Sequence, residues 1–147
     1  MSTDELLAAH AEVKAEIART DSKTGLLLAF VGVVMAGIWS TAKDLTLTLP
    51  AYLVGGASLA LLLVAAGLAL QAVRPNLGGR RGFVLWATLT PQQIVATTET
   101  RDIAADVVLF SRIALAKFTL LRRAVDLVLA AGALLLVAAL IVLGGAL

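Results

Sequence analysis

Residues 49–73 read LPAYLVGGASLALLLVAAGLALQAV, 25 consecutive positions without an Asp, Glu, Lys or Arg. As a helix this stretch rises about 37 Å, more than the roughly 30 Å hydrocarbon core of a bilayer. Two further stretches share the property. Gly25–Ala42 is uncharged over 18 residues and Leu127–Leu147 over 21. The chain is 60% apolar and 15% charged, against about half and about a quarter in a soluble domain. The sequence therefore predicts an all-α integral membrane protein with three transmembrane helices, at 25–42, 49–73 and 124–147.

The first span has small residues at its tail, Ser40-Thr41-Ala42, where a signal peptide is cleaved. The 23 residues before Thr24 carry five acids and three bases, whereas a signal peptide has a short basic leader. An uncleaved anchor is the expectation. Orientation follows from the bases. Eleven of the twelve Lys and Arg residues precede span one or lie between spans two and three; only Lys43 falls in the short turn between spans one and two. The expected topology has a cytoplasmic N-terminus and an external C-terminus in a bacterial inner membrane. Trp39 and Tyr52 then lie near the external ends, where interfacial aromatics belong.

The charged segments read as helices. Residues 3–22 lack Gly and Pro, follow Ser2 and Thr3 as candidate caps, and repeat Leu6, Ala9, Val13 and Ile17 at helical spacing, with His10 at the stripe's edge. Residues 74–90 form a basic loop that begins RPNLGGRR. Thr90-Pro91-Gln92-Gln93 is a capping box with Pro in the first turn. It predicts a helix over 91–123, with Ile103, Val107, Phe110, Ala114, Phe118 and Leu121 on one stripe. The first 23 residues have net charge −2 and residues 74–126 have +4. Complementary charge and two unburied stripes predict a cytoplasmic stalk, with the N-terminal helix packed along the helix before the last span. The opposing reading lays both helices flat on the inner leaflet as amphipathic anchors.

Enzyme chemistry has little to work with. The chain has one His and no Cys, and it lacks a phosphate loop, a zinc motif and a dinucleotide fingerprint. His10 on the border of an apolar stripe reads as a packing residue. No catalytic residue, no metal and no cofactor is expected. Transport is also poorly supported, because the three uncharged stretches hold no ionisable group. Their notable polar groups are Ser40, Ser58 and Gln71.

Two features remain. Gly25, Ala29, Gly32 and Ala36, extended by Ser40, give span one a face of small side chains, and Gly56 with Ala60 does so in span two. Such faces allow close helix approach. Packing among the three spans and homo-oligomerisation are equally open readings. The basic loop, with Arg74, Asn76, Gly78, Gly79, Arg80 and Arg81, has the chemistry to hold a phosphate. The same residues serve equally as a topology signal in contact with the lipid bilayer. No nucleic-acid partner is expected.

The order of parts is that of a known family. Asp21-Ser22-Lys23 precedes span one, Arg74-Pro75-Asn76-Leu77 follows span two, and Lys117 with the LLRRA run at 120–124 precedes span three. In this order the chain resembles PycTM, the transmembrane effectors of Pycsar antiphage systems. Phe30-Val31-Gly32 lacks the Asn that follows the Phe in many relatives. The resemblance implies a functional link to a nucleotide cyclase. It implies activation by a cyclic pyrimidine second messenger (cyclic UMP or cyclic CMP), damage to the inner membrane and abortive infection. Asp21, Lys23, Arg74, Pro75 and Lys117 carry over as candidate ligand-binding residues, and Arg80 and Arg81 join them on charge. Two other readings stand beside it. One is a constitutive membrane assembly or accessory protein whose stalk docks a protein partner. The other is a holin-like pore former.

Overall fold

A computed structural model of the chain describes residues 2–43, 47–74, 85, 87–94 and 102–144. Among these residues there are three long helices and no strand: α1 at Thr3–Ala42, α2 at Leu49–Val73 and α3 at Ile103–Gly144. All three are long and apolar enough to cross a membrane.

α1 starts at a complete capping box. Ser2 Oγ accepts from the Glu5 N–H at 3.3 Å, and Glu5 Oε2 accepts from the Ser2 N–H at 2.7 Å. Asp4 and Glu5 add negative charge at the positive end of the helix dipole. The charged segment and span one are one unbroken helix of 40 residues. α2 tolerates Pro50 because a first-turn N–H has no partner inside the helix.

The capping box at Thr90 is also present. The Gln93 N–H donates to Thr90 Oγ1 at 3.4 Å, the Thr90 N–H donates to Gln93 Oε1 at 2.9 Å, and a helical turn follows at 91–94. The continuous helix expected over 91–123 is not what forms. Asp102 is non-helical, its Oδ1 accepts the Ala105 N–H at 3.0 Å, and its carbonyl accepts from Asp106. The short carboxylate outcompetes a backbone carbonyl for the N–H groups ahead of it, so a new helix begins at Ile103.

The three helices share one seam. Val31, Leu62 and Ala131 form a buried layer that Val34, Met35 and Val128 pack against; Ala65, Ala69 and Ala124 form the next, with Leu27 and Leu28. Residue numbers rise together on α1 and α3 and fall on α2. α1 and α3 are therefore parallel and α2 runs between them in the opposite sense. The buried set is mostly alanine, which brings α2 and α3 close together. At that contact Ser58 Oγ donates to the Ala131 carbonyl at 2.7 Å, fully buried. Leu26, Phe30, Val33, Leu53, Leu129 and Leu136 are exposed on the outside, as lipid-facing side chains must be.

α1 and α3, at 40 and 42 residues, outrun the 25 residues of α2. The excess is roughly 25 Å of helix, and it is the charged half of each. There the two amphipathic stripes pack on each other. The His10 ring meets the Phe110 ring edge-on at 5.4 Å between centroids, and Lys14 Nζ lies 5.8 Å from the Phe110 centroid. Asp106, one turn before Phe110, is buried.

Candidate functional site at the junction of the long helices

The charged halves of α1 and α3 end where α2 joins the bundle. On α1 this junction is built from Thr20, Asp21 and Thr24. Both threonines are buried, and their hydroxyls donate back along the helix, Thr20 to the Glu16 carbonyl and Thr24 to the Thr20 carbonyl, each at 2.8 Å. Self-satisfied hydroxyls let small polar side chains sit inside the contact without an unpaired group. Asp21 follows at the rim. Its Oδ1 accepts from Lys117 Nζ at 2.6 Å, with side-chain exposures of 37% for Asp21 and 19% for Lys117. This pair crosses between helices from positions 96 residues apart.

The candidate ligand residues divide on this geometry. Asp21 and Lys117 are brought into direct contact, with each other. An anion seeking Lys117 has to displace the Asp21 carboxylate. Lys23 and Arg74 are exposed at the same end of the bundle. Pro75, Arg80 and Arg81 lie outside the described residues, as do Asn76, Gly78 and Gly79. No group of three or more His, Cys, Asp or Glu able to hold a metal occurs among the described residues.

The small-residue face of span one is open. Gly25, Ala29, Gly32 and Ala36 are all exposed, and a Cβ added at Gly25 or Gly32 would meet nothing within 4 Å. The three spans pack through other residues. At the far end of the bundle an open apolar groove of ≈ 540 Å³ runs between the helices, with Gly37, Ala51, Gly55, Ala138 and Ala139 in its lining. Small side chains keep that groove open.

Sequence reasoning missed the crossing Ser58–Ala131 hydrogen bond, although Ser58 is one of the few polar groups in an apolar span. It also missed buried Thr20 and Thr24, whose four-residue spacing was the available signal.

The matched family covers the same elements. Residues 5–144, from the first turn of α1 to the last residue of α3, match PycTM, the Pycsar effector protein domain. The chain belongs to that family. No curated protein and no solved structure matches it. As a PycTM chain it is a membrane effector of antiphage defence, functionally linked to cyclic-nucleotide signalling. In PycTM terms the match spans both charged half-helices as well as the three membrane helices. The Asp21–Lys117 junction lies within it.

Proposed function

We propose that this PycTM chain is a non-catalytic membrane effector that a cyclic pyrimidine nucleotide, cyclic UMP or cyclic CMP, switches from a quiet bundle to a membrane-damaging assembly, ending in abortive infection. The N-terminus and the charged halves of α1 and α3 stand in the cytoplasm as a stalk, and the C-terminus is outside. Family membership supports the messenger class, and the distribution of bases supports the orientation.

The observation that carries the mechanism is the Asp21–Lys117 pair. It ties together two helices that continue without a break into spans one and three. A partly exposed ion pair of this kind contributes roughly 1 kcal/mol or less, so an incoming anion displaces it at small cost. The cyclic phosphodiester carries one negative charge. It competes with Asp21 for Lys117, assisted by Lys23, Arg74, Arg80 and Arg81. The ligand shifts the balance only because it binds the opened arrangement better than the closed one. Rotation of α1 and α3 is transmitted to the spans, and the open face of Gly25, Ala29, Gly32 and Ala36 then packs against a second copy.

The test is direct binding. Purified full-length protein in nanodiscs is titrated with cyclic UMP, cyclic CMP and cyclic AMP. Saturable binding of a pyrimidine nucleotide that weakens at least tenfold in Lys117→Gln supports the reading. No binding of either pyrimidine nucleotide overturns it, and leaves nucleotide-independent assembly.

A further inference from the structure

Four bases stand on the outside of the bundle near the end where α2 stops. Lys23 is on α1, Arg74 is at the end of α2, and Arg122 and Arg123 are on α3; all four are exposed. Lys23 lies one turn before Leu27, and Arg122 and Arg123 immediately precede Ala124 in the same layer. Arg74 lies five residues beyond Ala69 and nine beyond Ala65 of that layer. The four bases therefore spread over roughly two helical turns, ~10 Å, along the bundle axis.

None of the four makes an ion pair among the described residues. Lys117 and Arg19 are different, since each has an acid within 3.0 Å, Asp21 and Glu16 respectively. One acid, Asp126, is exposed close by on α3, so the collar keeps a net charge of three. On the membrane side of it the exposed side chains turn apolar: Leu26, Phe30, Leu70 and Leu129. Next to Arg74 a shallow groove of ≈ 420 Å³ is lined by Leu70, Gln71 and Val73. Arg74 completes the lining of that groove.

We propose that this collar is a binding surface for anionic phospholipid headgroups. The chemistry recognised is a phosphodiester monoanion, held by Arg74, Arg122, Arg123 and Lys23, with the acyl chains lying on Leu70, Leu26 and Leu129. A soluble phosphodiester has the same charge and lacks the chains. The apolar residues directly beneath the bases favour the lipid over a free phosphate. The inference rests on the bundle and its membrane setting; Lys23 and Arg74 are shared with the nucleotide reading, whereas Arg122 and Arg123 are not.

The experiment uses full-length protein in nanodiscs of phosphatidylcholine doped with a trace of fluorescent phosphatidylglycerol or, separately, fluorescent phosphatidylcholine. Energy transfer from Trp39 and Trp86 reports enrichment of the label around the protein. Labelled phosphatidylglycerol is expected to be enriched and labelled phosphatidylcholine is not. Enrichment should fall about fivefold for each base removed in the series Arg74→Gln, Arg122→Gln and Arg123→Gln, and should weaken as salt is raised. Lys43→Gln, at the opposite end of the bundle, should leave it unchanged. Helicity by circular dichroism identifies any variant that has unfolded; a single-site variant that remains helical then carries the comparison. Equal enrichment of both lipids, or a helical triple variant with undiminished enrichment, overturns the proposal. Full displacement of the label by millimolar inorganic phosphate overturns the lipid as the source and assigns the site to free phosphate. Nucleotide-dependent leakage, measured on the Arg122→Gln and Arg123→Gln samples, whose bases take no part in the proposed nucleotide site, fails or succeeds separately.

Discussion

Ser58 has no exposed surface, and its hydroxyl donates to the Ala131 carbonyl on the facing helix at 2.7 Å. Hydrogen bonds between membrane helices average about 0.6 kcal/mol and reach about 1.7. Ser58→Ala should therefore lower unfolding stability by roughly 1 kcal/mol, measured by thermal melting in detergent. Ser58→Val should cost more, because α2 and α3 meet there through alanines and have no space for a branched side chain. The Asp21–Lys117 pair allows a cleaner test, because its two members can be exchanged. Asp21→Lys alone and Lys117→Asp alone each set like charges face to face and should loosen the α1–α3 contact. The double exchange should recover most of the loss, roughly 1 kcal/mol. Melting of all four proteins checks this. If the double variant is no better than the singles, the pair does not tie the helices together.

At the scale of elements, the helices were legible to different depths. Their apolar lengths marked the spans, because nothing but a helix satisfies its own backbone across a bilayer. α2 is observed at 49–73 and ends just before Arg74, the first charged residue after Asp44. The Ser2 and Thr90 caps were legible because each acts within four residues. The break at Asp102 was harder to read. An Asp inside a run without Gly or Pro serves equally as a surface residue or as a cap, and only the backbone course decides. Asp102→Ala should remove the side-chain acceptor of the Ala105 N–H. That change should cost about 1 kcal/mol locally, read as faster amide exchange over 103–106 with α3 otherwise intact. The candidate site was half legible. Its charge was plain from the sequence. That Lys117 is already satisfied by Asp21 depends on how two helices 96 positions apart are phased, which no local pattern encodes. Residue periodicity likewise found the small-residue face of span one and left its direction undetermined. The fold turns it outward. Gly32→Leu should leave the monomer helical and folded, since nothing lies within 4 Å of an added Cβ. It should also abolish self-association measured by crosslinking in membranes.

Among the described residues three long helices form a bundle with two long parallel arms. The small net charge of +2 hides −2 on the first arm and +4 on the segment that leads to the third span. Opposite charge holds the arms together at Asp21 and Lys117, and Lys23, Arg74, Arg122 and Arg123 stand exposed near where the apolar surface begins. Because each arm continues into a span, an anion bound between the arms, as proposed above, would act on the membrane portion directly. The central claim is that a cyclic pyrimidine nucleotide converts this bundle into a membrane-damaging assembly. Dye release from liposomes holding the purified full-length protein tests it most directly, with cyclic UMP, cyclic CMP and cyclic AMP added in parallel. The account predicts release with cyclic UMP or cyclic CMP, little with cyclic AMP or none added, and loss of release in Gly32→Leu. Release that is the same with and without nucleotide, or absent with both pyrimidine nucleotides, would contradict it.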